Sequence, residues 1–185
     1  MDPWFIATER FDPSRGEAWT KYVSWSGLGQ LTEVVSLDSI LCPRVLGELK
    51  NDYWPHIVNE DFMLDFFVDF EFMMAQLSDA TTKNILCVFR NPPAQPVAPA
   101  GHADFVFLGY DLVDVQGGIS ALTNCGGFPD VFDNAELSAH GLIPAHSRAT
   151  QIQTRLRELH AEEPHANCHV WAIFRKIRAL TTAIG

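Results

Sequence analysis

Cys125, His165, Cys168 and His169 are the side chains whose types and spacing suggest covalent or metal chemistry in this chain. Cys125 lies in Asn124-Cys125-Gly126-Gly127-Phe128-Pro129, a glycine loop shortly before an expected helix start. A thiol so placed can have its thiolate favoured and its approach unobstructed, as a nucleophile requires. His165 or His169 would supply the base, with Asn124, Asn167 or Asp130 as orienting groups, so a thiol-dependent or metal-assisted hydrolase is the enzyme candidate. The plainer alternative is a small buried thiol at a strand end. His165, Cys168 and His169 are also the densest group of soft ligands, and Cys125 or His160 would complete four for zinc. That spacing lacks the paired-cysteine knuckle of a specific zinc motif. GxSxG, HExxH, Walker and GxGxxG patterns do not occur, which removes support for the hydrolase, protease and nucleotide-binding classes that carry them.

A second candidate set is Asp61, Asp65 and Asp69. The stretch 59–77, NEDFMLDFFVDFEFMMAQL, has no glycine or proline and opens on Asn59, a good N-cap, so it predicts one long apolar helix. At i, i+4 and i+8 the three carboxylates would drift only about 40° per step and form a narrow acidic stripe. Such a stripe is the face left to water, a docking edge for a basic protein, or a hard-cation site, although cations usually take their oxygens from loops.

The charge distribution bears on which partners are compatible. The net charge is −10, and residues 51–147 hold 13 acids against only Lys83 and Arg90. A segment this acidic repels phosphate backbones, so binding to nucleic acid or an anionic membrane is disfavoured and a basic protein partner is favoured. Solubility alone is the competing explanation. The four cysteines are spaced roughly 40 residues apart without a CxxC pair, which argues for reduced thiols rather than a disulfide framework. No apolar window is long enough for a membrane span and the start lacks a secretion signal, so a cytoplasmic location is expected. No cofactor is called for.

The elements that must position these groups read as one domain over 1–185, with 47% hydrophobic residues to build its core. Trp4 to Phe11 and Ala18 to Trp25 predict a first hairpin around Pro13 and Gly16. Residues 84–90, NILCVFR, predict a strand, followed by a proline-rich loop at 92–99 that cannot join a sheet centrally. Residues 104–132 predict a central hairpin with its turn at Val115-Gln116-Gly117-Gly118 and a return strand through Ile119 to Cys125. In that hairpin strict alternation puts Val106, Leu108, Tyr110 and Leu112 on one face, and Phe105, Phe107, Gly109, Asp111 and Val113 on the other. Asp133 and Glu136 predict a capping box opening a helix that stops at Gly141, and Ala145, Ala149, Ile152, Leu156 and Leu159 mark one face of another. Residues 168–177 predict a last strand, and 178–185 a frayed end. The expected fold class is α+β, with a mostly antiparallel sheet of five or six strands, one very apolar helix and two further helices.

The segments GYDLVD, SALTNCGGFPDVF and EEPHANCHVWAIFR, at 109–114, 120–132 and 162–175, resemble small bacterial proteins of uncharacterised function. That likeness implies no catalytic residue. More loosely, an acidic α+β chain without an active-site motif is similar to immunity proteins of bacterial toxin–immunity systems. This resemblance implies a non-catalytic inhibitor that neutralises a basic partner such as a cognate toxin, with Asp61, Asp65 and Asp69 as its first contacts. A structural subunit of a homo-oligomer is the remaining alternative.

Overall fold

The computed structural model describes residues 2–46, 51–61, 64–116 and 118–177. The strands are β1 (Trp4–Thr8), β2 (Ile57–Asp61), β3 (Leu64–Phe67), β4 (Asn84–Arg90), β5 (Phe105–Asp114) and β6 (Cys168–Lys176). The α-helices are α1 (Glu17–Ser26), α2 (Phe70–Gln76) and α3 (His146–Leu159). The strands form one sheet in the order β2-β3-β1-β4-β6-β5, and every pairing between them is antiparallel. This is the α+β class expected.

Alternation along the inner strands divides the core. Phe5, Ala7, Ile85, Cys87, Phe89, Ala172 and Phe174 point to one side, where Met73 of α2 and Ala149, Ile152 and Leu156 of α3 cover them. Ile6, Leu86, Val88, Trp171 and Ile173 point to the other, under Val35, Leu37 and Leu142. Both faces of β4 are therefore buried, which is why NILCVFR is apolar without alternation.

The predicted helix at 59–77 is not one element. Its first part forms the hairpin β2–β3, and only Phe70–Gln76 is helical. Phe66 enters the second core while Phe67 enters the first. A strand buried on both faces needs the same unbroken apolar run as a buried helix, and pairing of β3 with β1 decides between them. Asp69 ends the strand region by capping α2, its Oδ1 accepting the Phe72 N–H at 2.9 Å.

The first predicted hairpin is also corrected. β1 is a strand, but Ala18 to Trp25 lies in α1, where Trp19, Tyr22 and Val23 share the inward face at helical spacing. Asp12 caps a short turn at Pro13–Arg15, and Gly16 at φ 59° redirects the chain into that helix. Between 133 and 161 the capping box of Asp133 and Glu136 is present, but it opens a single 3-10 turn, Asn134–Glu136, rather than a helix reaching Gly141. The predicted strands at 84–90 and 168–177 and the non-strand character of 92–99 stand. The predicted frayed end at 178–185 lies outside the described residues.

β5 lies at the sheet edge, not its centre. The return from 119 contributes one bridge, Val113 with Ser120, before the chain turns away. Instead Ile143 exchanges two backbone hydrogen bonds with Tyr110, at 2.8 and 3.0 Å, closing part of that edge. A bulge between Phe107 and Gly109 also breaks the alternation expected along β5. As a result Phe107 and Tyr110 share the first face, and Leu108 and Val113 the second.

Candidate functional site

The thiol and imidazoles singled out by the sequence each meet a different partner. The Cys125 thiol donates to the Ala121 carbonyl at 2.9 Å. Burial pushes it up to about 11, and the nearby carboxylates of Asp38 and Glu163 further disfavour the thiolate. A nucleophile requires the opposite arrangement. His165 faces Asp114, with Nδ1 3.9 Å from Oδ2, and meets Phe128 edge-on at 5.7 Å. His169 turns elsewhere, its Nδ1 accepting from Asn91 Nδ2 at 2.9 Å beside Trp171. Cys168 is fully buried, and burial raises its thiol to about 12. Among the described residues no group of three or more His, Cys, Asp or Glu side chains is arranged to hold a metal ion.

What lies beneath Cys125 is a set of buried carboxylates. Asp111 receives four donors: Ser36 Oγ at 2.5 Å and the Leu37 N–H at 3.1 Å on one oxygen, Ser120 Oγ at 2.7 Å and the Leu112 N–H at 2.9 Å on the other. Asp38 receives the N–H groups of Ile40, Leu41 and Ser120 and the amide of Asn124. Asp114 receives those of Gln116 and Ile119. These side chains satisfy the backbone donors of two irregular segments that no strand partner reaches. Their donors come from the protein itself, so the arrangement is architectural.

The acidic trio is divided by the fold. Asp61 belongs to β2 and Asp65 to β3, where Asn59 pairs with Asp65 and Asp61 with Leu64. The side chains of Asp61 and Asp65 are outside the described residues. Asp69 precedes α2 and no longer continues a helical stripe.

Asp69 instead lines a cleft of about 910 Å³ between the start of α2 and the proline-rich loop. Phe5, Phe70 and Phe89, all under 9% exposed, are on its apolar side. Pro92, Pro93, Pro96 and Pro99 supply the opposite wall, whose fixed φ angles lower the entropy cost of holding that surface open. Two hydrogen bonds shape the loop's return: His102 N–H to the Pro99 carbonyl at 3.0 Å and Phe105 N–H to the His102 carbonyl at 3.1 Å. The His102 ring then packs on Phe5 and Phe70 at centroid distances of 5.4 and 4.9 Å.

The polar features of the cleft are few. Asp69 and exposed Glu71 are its carboxylates, and the Asp69 side chain is 45% exposed despite its capping bond. His56 Nδ1 approaches Asp69 Oδ2 at 3.4 Å while its ring stacks on Phe72 at 3.7 Å. Val68 and Val97 stand 46% and 83% exposed beside them. An apolar channel with two carboxylates complements an apolar segment bearing a cation. Glu71 was not a sequence candidate, because its membership of the site depends on where α2 begins. The juxtaposition of Asp69 with the prolines likewise required the fold.

Comparison with protein families, curated proteins and solved structures finds no match. Among the described residues no helix is long and apolar enough to cross a membrane.

Proposed function

We propose that the protein is a non-catalytic, acidic binding module of immunity or inhibitor type that acts in the cytoplasm by neutralising a basic partner protein such as a bacterial toxin. The observation that supports this reading is the cleft at Asp69: an apolar, proline-walled channel whose formally charged lining groups at neutral pH are Asp69 and Glu71. A lysine or arginine on an extended segment of the partner meets those carboxylates, and its apolar neighbours meet Phe70, Val68 and Val97. Asp61 and Asp65, in the preceding hairpin, add to the field that steers the partner in. The half-buried, weakly acidic thiol of Cys125 supports a binding role over a thiol-dependent hydrolase.

The test is capture from a lysate of the source cells by the native protein and by an Asp69→Lys/Glu71→Lys variant, followed by association kinetics on the purified partner. The expected result is a basic protein held by the native form, with an on-rate about 10-fold or more lower in the variant and a steep fall with added salt. Equal capture by both forms, or an on-rate indifferent to salt, overturns the reading. Asp69→Lys also removes the α2 cap, so a Glu71→Lys single variant, which leaves that cap in place, should show the same direction of change at an unchanged thermal midpoint.

A further inference from the structure

One end of the sheet gathers basic side chains. A cavity of about 670 Å³ opens where β1 and β6 end and β4 begins. Its charged lining residues are Arg10, Lys83, Arg175 and Lys176, with no carboxylate among the residues of its wall. Four of the thirteen basic residues of a chain with net charge −10 therefore meet at one place. Ile85, Val106 and Ile177 provide its apolar surface, the last two 40% and 51% exposed.

Like charges so gathered need support, and carboxylates outside the cavity wall supply it. Glu33, 4% exposed, accepts Arg10 Nε on Oε1 at 2.7 Å and Arg175 Nη1 on Oε2 at 2.6 Å. Asn84, 1% exposed, donates to the same carboxylate at 3.3 Å. Burial alone would raise the Glu33 carboxyl, but the hydrogen bond from Arg10 and the charge of Arg175 hold it below the usual range, so it stays ionised. Glu9 anchors Lys83 at 2.6 Å, and Asp104 anchors Lys176, whose ammonium lies over the rings of Phe70 and Phe105. Arg10 spends Nε on Glu33 and Nη2 on Asp12 at 3.2 Å, and Arg175 spends Nη1 on Glu33; each keeps further N–H groups in its planar fork. The four side chains are between 20% and 32% exposed, so they are partly desolvated yet reachable.

We propose that this cavity binds a small soluble phosphate monoester, with the phosphate between Arg10, Arg175 and the two lysines and its apolar body against Ile85, Val106 and Ile177. Forked guanidinium donors match phosphate oxygens, and the two lysines add point donors beside them. The cavity has the size of an ordinary small-ligand site. A recessed cavity of about 670 Å³ admits a small soluble ester rather than a bilayer surface or a nucleic-acid duplex. This site is independent of the acidic cleft and of its proposed partner.

Calorimetric titration of the full chain with phenyl phosphate at low ionic strength tests it, with benzoate and inorganic phosphate as controls. The expected result is saturable, stoichiometric binding of phenyl phosphate, with both controls about 10-fold or more weaker and a Lys83→Met/Lys176→Met variant weakened to a similar degree. Amide shifts on binding should centre on Asn84, Ile85, Arg175 and Lys176 of the native protein, and this mapping decides the matter if the variant does not fold. Absence of saturable binding, unchanged affinity in a folded variant, shifts centred elsewhere, or benzoate binding as well as phenyl phosphate overturns the proposal.

Discussion

The carboxylate of Asp38 accepts the backbone N–H of Ser120 at 2.9 Å, across 82 positions of sequence. This bond takes the place of a strand partner where the chain leaves β5, and both residues are fully buried. Removal of the side chain leaves the buried Ser120 donor unsatisfied and strips the partly exposed Ile40 and Leu41 donors of their acceptor.

Asp38→Ala should therefore destabilise the fold by about 1–3 kcal/mol, the cost of the orphaned buried donor of Ser120. Asp38→Asn keeps one acceptor oxygen and should cost less. Urea unfolding midpoints of the two variants check the order; equal midpoints would show that Asp38 contributes through shape alone.

Gly109→Ala tests the bulge. Gly109 sits at φ +146°, and an added Cβ would lie 2.8 Å from Leu142 Cβ and 3.0 Å from the Ile143 carbonyl oxygen. The backbone of Ile143 is fixed by its two bonds to Tyr110, so it cannot yield cheaply. The expected cost is about 3 kcal/mol from backbone strain and overpacking together, read from the same unfolding experiment.

All four thiols should be sluggish in the native state. Burial raises Cys42, Cys87, Cys125 and Cys168, and Cys125, the least buried, still stands at about 11. Its alkylation near neutral pH should be about two orders of magnitude slower than that of free cysteine, in proportion to its thiolate fraction. A fast-reacting thiol in the folded protein would revive a catalytic role for Cys125.

The pH dependence has two opposed contributions. The hydrogen bond from Arg148 lowers the Glu136 carboxyl from 4.5 to about 2. Its stabilising contribution is thus fully present above the unfolded value and lost as pH falls through about 2. The pair is near the surface, so the effect should stay under about 1 kcal/mol, and Glu136→Gln should lower the melting midpoint at neutral pH with a difference that vanishes in acid. Asp111 acts in reverse: burial raises its carboxyl against the lowering by Ser36 and Ser120. Between its unfolded and folded values the native state holds the extra proton, so its contribution falls as pH rises. Carbon-detected titration should find Asp111 above, and Glu136 below, ordinary carboxyls.

The sequence by itself determined those elements whose local signals and buried surfaces agree. β4 and β6 read as apolar strands, α3 displayed Ala149, Ile152 and Leu156 on one face, Asp133 and Glu136 formed their capping box, and four prolines kept 92–99 out of the sheet. The excess of carboxylates in the middle of the chain was equally legible. Tertiary structure alone decided the rest. The 57–76 region is apolar in a way that serves a two-sided strand or a buried helix, and only pairing of β3 with β1 separates the two. The edge place of β5 depends on its pairing with β6, which is distant in sequence, and the bulge at Gly109 shifts its faces. The candidate sites follow the same division. Asp69 could be picked out by its charge, but its cleft with Glu71 and the prolines, like the meeting of Arg10 with Arg175 on Glu33, arises from contacts between distant segments, and no local propensity encodes these.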